Sequence, residues 1–100
     1  MSIYLIATLE IEDRDTYGRY EEGFMEIFQR FGGELLAVDE APVGLEGEWA
    51  WTRTVLIRFA DADTALRWYH CDEYQALMRH RLDASSGNIV MIQGLPEAGG

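Results

Sequence analysis

The most informative charge is Arg53, in the alternating run Arg53-Thr54-Val55-Leu56-Ile57-Arg58-Phe59. It has the parity of Val55, Ile57 and Phe59, so its stem points with the apolar side chains. A guanidinium on a packed face needs a carboxylate or an anionic ligand, because an unpaired buried charge is costly. Glu46 and Glu48 lie across the preceding turn and are its expected partners. Two readings follow: a structural ion pair at a strand end, or an anion-binding arginine at a pocket mouth. Aromatic residues supply walls for such a pocket. Tyr20 sits in one stripe, Trp68, Tyr69 and Tyr74 in and beside another, and Trp49 and Trp51 nearby. The same rings serve equally well as core and subunit contacts. Buried phenols need partners, so Tyr20 or Tyr74 is expected to bond Arg53 or Glu46.

Other chemistries are thinner. His70 is the neutral-pH base nearest this group in sequence, which makes Arg53 and His70 the catalytic candidates. Glu46, Tyr20, Trp68, Tyr69 and Tyr74 are the candidate ligand contacts. His70 and His80 do not share a helix face, and no His-carboxylate spacing suits a metal, so no metal site is expected. Cys71 is adjacent to His70, and adjacent helical residues point apart, so it reads as a small buried hydrophobe. No glycine-rich phosphate loop or nucleophile elbow is present, and no cofactor is expected.

Composition narrows the classes further. The chain has 100 residues, 48% hydrophobic and 26% charged, which is ordinary for one globular domain. Acids number 18 against 8 basic residues, for a net charge of −10. That balance argues against nucleic acid and against an anionic membrane surface. All the basic residues are arginine, so lysine Schiff-base chemistry is excluded. A single cysteine makes no intrachain disulfide. The start lacks a basic leader region, and no apolar run suits a membrane span, so a cytoplasmic location is expected.

The elements that must position these residues are readable from periodicity. Ile3 to Ile11 alternates as a strand. Asp13 caps a helix whose Tyr17, Tyr20, Phe24, Ile27, Phe28 and Phe31 recur at helical spacing, and Gly32-Gly33 stops it. Glu34 to Glu40 is a second strand, Ala41 to Glu48 a connection, and Trp49 to Phe59 a third strand. Asp61 caps a second helix, interrupted at His70-Cys71-Asp72, where Asp72 caps a fresh turn, and resumed through Leu82. Ser85 to Asn88 reads as a turn and Ile89 to Gln93 as the last strand. The order is β-α-β-β-α-β, a ferredoxin-like α+β fold with a four-stranded antiparallel sheet and two helices on one face. Residues 1–95 form the expected domain and 96–100 a flexible tail. Tyr4, Ile6, Leu56 and Val90 or Met91 need cover on the far face, which predicts a homodimer of facing sheets, a dimeric α/β barrel.

Several pieces match a known family in order and spacing. They are Asp13 with Tyr17 and Tyr20, Phe31-Gly32-Gly33, Leu45-Glu46-Gly47-Glu48-Trp49 and Arg53 to Phe59. Ala65-Leu66-Arg67-Trp68-Tyr69, Asp72-Glu73-Tyr74-Gln75 and Arg81 complete the set. Over about residues 3–95 the chain resembles the domain-of-unknown-function 1330 family. It departs from the family's usual pattern at Cys71-Asp72 and at Arg58. The resemblance implies the dimeric α/β-barrel superfamily, whose members include antibiotic-biosynthesis monooxygenases, muconolactone isomerases and chlorite dismutases. Two classes of function are therefore expected. One is a homodimer binding a small organic molecule, an anion if Arg53 faces it, with cofactor-free oxygenation or isomerisation as the chemistry. The other is a non-catalytic binding or assembly module.

Overall fold

The computed structural model describes residues 2–96, so most of the expected tail lies outside the described residues. Strand β1 (Ile3–Ile11) leads through the Asp13 cap into helix α1 (Arg14–Arg30). The Asp13 carboxylate accepts from the Thr16 amide at 3.1 Å and the Thr16 hydroxyl at 2.7 Å, satisfying a free donor of the first turn. Gly32, with φ of 73°, turns the chain out of α1 in the left-handed conformation that glycine adopts without strain. Strand β2 (Glu34–Asp39) and strand β3 (Arg53–Phe59) follow, then α2 (Ala62–His70), α3 (Asp72–Ala84) and β4 (Ser85–Gln93). No helix among the described residues is long and apolar enough to cross a membrane.

The sheet order is β2-β3-β1-β4, antiparallel throughout. This is the ferredoxin-like arrangement that the alternation predicts. β1 is central, and its register fixes which side chains share a face. Leu5 opposes Ile57 and Met91, Ala7 opposes Val55 and Ile89, and Leu9 opposes Arg53 and Gly87. That face carries the helices. Its core joins Leu5, Leu9, Ile57 and Phe59 to Tyr20, Phe28, Trp68 and Tyr74 from the helices. The rings pack edge to face, with Phe28 5.3 Å from Phe59 and Trp68 4.2 Å from Tyr74 between centroids. α1 and α3 lie side by side over the sheet.

Four local expectations are corrected. β3 begins at Arg53 rather than Trp49, because β2 ends at Asp39, opposite Thr54, and offers no ladder partner further on. The Ala41 amide bonds the Asp39 carboxylate and leads the chain off the sheet. The second helix is two helices, and the cap of α3 is Cys71, not Asp72: the Cys71 thiol accepts from the Tyr74 amide at 3.4 Å. β4 begins at Ser85, with no intervening turn, because the nine-residue β1 supplies partners as far as the Ile11–Ser85 pair. On the far face, Val90 and Ile92 share the side of Ile6 and Leu56, whereas Met91 faces the helices.

Gly87 sits where β4 crosses close to β1. A Cβ there would collide with the Thr8 carbonyl oxygen and the Leu9 backbone. Gly87→Ala should therefore lower the unfolding free energy by about 1–3 kcal/mol in a urea titration, since backbone cannot rotate away as a side chain can. An unchanged midpoint would contradict this register.

Candidate functional site

The helix-facing side of the sheet is not completely filled. A cavity of about 150 Å³ lies between α1, α3 and the sheet. Leu5, Ala7 and Leu9 of β1 form its floor, with Val55 and Ile57 of β3 and Ile89 of β4 beside them. Ala7 explains part of the void. It is the small residue at the middle of the central strand, under Tyr17, Tyr20, Phe24, Trp68 and Tyr74 of the helices. The mouth opens at the β2 side, where the lining residues Met25, Leu35 and Val38 are exposed. β2 is exposed along its whole length, so no element closes that end.

The polar groups gather at two places. Tyr20 on α1 and Tyr74 on α3 are buried, and their hydroxyls meet at 2.7 Å. Burial pushes the Tyr20 phenol well above its ordinary value, the Tyr74 hydroxyl adds to this, and Arg81 opposes it. Burial likewise raises Tyr74 and Tyr17, with Arg53 lowering Tyr17. All three phenols are therefore neutral donors at neutral pH. The second place is the rim. Arg53 bonds Glu40 at the end of β2 and reaches Glu21 of α1 at 3.4 Å. Arg14 also reaches Glu40, at 3.0 Å, so one carboxylate joins two arginines. Arg53 stacks over the Tyr17 ring, 5.4 Å from its centroid.

The structure brings Arg53, Tyr20, Trp68 and Tyr74 together around one cavity. It does not bring Glu46, Tyr69 or His70 to it. Glu46 is exposed in the β2–β3 connection, because that segment leaves the sheet before β3 begins. Arg53 accordingly pairs with Glu40 and Glu21, not with Glu46 or Glu48. The expected bond from Tyr20 or Tyr74 to Arg53 or Glu46 is replaced by the bond between the two tyrosines. Tyr69 packs behind Trp68 and Tyr74, and its carbonyl accepts from the Gln75 side-chain Nε2 at 2.6 Å. His70 is exposed at the end of α2, in a shallow depression with Asp63, Leu66 and Arg67. Trp49 is exposed and Trp51 half-buried, and neither lines the cavity.

Sequence reasoning missed Arg81 as a site residue, along with Tyr17 and Glu21. Arg81 lines the cavity and is only 7% exposed. Its signal was present. It follows Tyr74 by seven residues, two helical turns, and so shares that residue's face. Glu21 had no comparable signal, because its pairing with Arg53 is tertiary.

The comparisons with known proteins agree with this architecture. The sequence profile described as domain of unknown function (DUF1330) matches residues 2–95, and the chain belongs to that family. No curated protein matches. Among solved structures, a Rhodopseudomonas palustris protein of unknown function is similar, with a TM-score of 0.80 at 14% identity, over 96% of this chain and 84% of that one. A dimeric protein of unknown function with a ferredoxin-like fold from Bacteroides fragilis has a TM-score of 0.62 at 11% identity, over 93% and 96%. SnoaB, a cofactor-independent oxygenase from Streptomyces nogalater, has a TM-score of 0.61 at 9% identity, over 99% and 98%. At these identities the likeness is one of fold.

Two measurements check the site. Tyr20→Phe or Tyr74→Phe alone leaves a buried hydroxyl unmet and should cost about 1–3 kcal/mol. The double variant should cost less than the sum, and additive losses in denaturation would contradict the 2.7 Å bond. At the rim, the Arg14 hydrogen bond, reinforced by Arg53, holds the Glu40 carboxyl below its ordinary value of 4.5. A carboxyl lowered by folding stabilises the fold above its unfolded value, and the contribution is lost as pH falls through the folded value. Glu40→Gln should therefore lower the melting temperature at pH 7 and bring it level with the parent as the medium is acidified below 4.5. A constant gap across that range would contradict the pairing.

Proposed function

We propose that the protein binds a small organic molecule in this cavity, one per subunit of a homodimer, as a cofactor-free oxygenase or isomerase acting on an activated carbon acid. The observation that carries the reading is the cavity itself: an apolar floor, an open mouth at β2, and neutral phenols at the inner end. Such donors meet charge as it develops on an enolate oxygen, and the apolar wall excludes water from it. Tyr20, Trp68 and Tyr74 are the contacts we assign to the ligand, with Arg53 at the mouth. Glu21 is the carboxylate among the lining residues, and it takes the place that the exposed His70 cannot fill as proton acceptor. The oxygenase of the same fold supports this class of chemistry.

The homodimer is supported by the far face of the sheet. Ile6 and Leu56 are half-buried there, and Val90 and Ile92 are exposed at 50% and 45%. Val43, Leu45 and Trp49 add exposed apolar surface on the β2–β3 connection. An apolar surface of this extent is covered in most soluble proteins. A neighbour of this fold is described as dimeric.

A thermal-shift screen of small one-ring compounds, with native mass spectrometry of the purified protein, tests the binding reading. We expect a saturable stabilisation by a compound that fits the cavity, and its loss in Ala7→Leu, which fills the floor without removing a polar group. A hit that binds Ala7→Leu as well as the parent, or no hit at all, argues for the non-catalytic module. Light scattering at micromolar concentration should give twice the 11.4 kDa chain mass. A monomer would sink the facing-sheet arrangement.

A further inference from the structure

The charges around the cavity leave one arginine unanswered. Arg53, Arg58 and Arg81 are the arginines withdrawn from solvent. Arg53 meets Glu40 and Glu21, and Arg58 meets Glu34 at 2.8 Å. Arg81 is the most buried of the three, yet among the described residues no carboxylate forms an ion pair with it. Its Nε is buried without a hydrogen-bond partner, as are the Arg53 Nε and the Trp68 Nε1 on the same cavity, so what sets Arg81 apart is the missing carboxylate. Supply is not the reason, since the chain carries 18 acids for 8 arginines. The guanidinium lies instead against the Tyr20 ring, 5.8 Å from its centroid; its charge acts on the phenols of Tyr17, Tyr20 and Tyr74, and it also approaches the Tyr74 hydroxyl as a hydrogen-bond donor.

Hydrogen counting at the tyrosine pair points the same way. Two hydroxyls carry two hydrogens, and the bond between them uses one. The second is free to donate to an outside acceptor beside Arg81. A cation and a spare O–H donor at the closed end of an apolar cavity together form a receptor for a single oxyanion. The size sets the rest. A void of about 150 Å³ accommodates a benzene-sized body. The flat rings of Phe24, Trp68 and Tyr74 on its walls favour a planar guest.

We propose that Arg81 is the anion anchor of the cavity, holding the carboxylate of a planar, single-ring acid with the Tyr20–Tyr74 hydroxyl pair. This rests on the ligand-binding reading of the cavity and names its ligand class. Arg53, already held by two carboxylates, is a rim contact and not the anchor. The charge on the guest is thus met at the inner end, and its ring lies over Ala7 toward the β2 mouth.

Calorimetric titration of the full chain with benzoate and with benzamide, a neutral compound of nearly the same shape, tests the proposal. Benzoate should bind at least about tenfold more tightly, the scale of one hydrogen bond to a charged group. Arg81→Met should abolish that preference with circular dichroism unchanged, and Arg53→Met should retain it. Arg81→Lys keeps the charge and should keep part of the preference, which covers the case in which Arg81→Met does not fold. Equal binding of the two probes by the parent overturns the role of Arg81 and leaves the cavity reading standing. So does a preference that survives Arg81→Met or disappears in Arg53→Met. Binding of neither probe overturns both.

Discussion

A buried phenol must find a hydrogen-bond partner, and in this chain two of them find each other. The Tyr20–Tyr74 contact at 2.7 Å joins α1 to α3 through the middle of the core. Around it Tyr17 packs on Tyr20, Tyr20 on Phe24 and Phe24 on Trp68, and these rings stop short of Ala7. A larger residue at position 7 would fill the gap with side chain. With alanine there, the same interaction that closes the helix layer leaves a cavity beneath it. Packing and site are consequences of one arrangement, and neither changes without the other.

The distribution of charge follows from this frame. A chain with a net charge of −10 can spare acids for nearly every arginine. At the rim, where α1 passes the end of β2, it uses two carboxylates to hold Arg53. The carboxylate ends of these pairs are open to solvent, which screens them and limits what each contributes to stability. Their effect is to tie the uncovered edge strand to the helix layer and to neutralise the entrance. At the inner end no acid among the described residues pairs with Arg81, and the local potential there stays positive. A neutral mouth, an apolar floor and a positive inner end are the polarity on which the proposed anchoring of an anion rests.

Much of the fold was legible because its signals are local. The alternation from Ile3 to Ile11 and the aromatic stripe from Tyr17 to Phe31 each specify one element, and Asp13 and Asp61 mark helix starts by side-chain bonds three residues on. The errors arose where a neighbour in space decided the outcome. Trp49 and Trp51 have strand-like character, but β2 had already ended and gave them nothing to pair with. Ser85 to Asn88 has turn chemistry, yet the length of β1 drew it into the sheet. Cys71 displaced Asp72 as a cap because its thiol lies within reach of the Tyr74 amide. In the site, Tyr20, Trp68 and Tyr74 were readable as large rings on packed faces. The pairing of Arg53 was not, since Glu40 and Glu21 approach it only through the tertiary fold. Arg81 was readable from its two-turn spacing to Tyr74, and its lack of an ion pair among the described residues became evident only with the tertiary fold.

Ligand binding requires that the void above Ala7 be open to a guest. Xenon is an apolar probe of suitable size for a cavity of about 150 Å³. In a xenon titration followed by methyl and indole NMR, the resonances of Leu5, Val55, Ile89 and Trp68 should shift together and saturate, while those of Val90 and Ile92 on the far face remain in place. Unmoved resonances at Leu5, Val55 and Ile89, or shifts confined to the far face, would show that the helices rest directly on the sheet and that the protein holds no internal site.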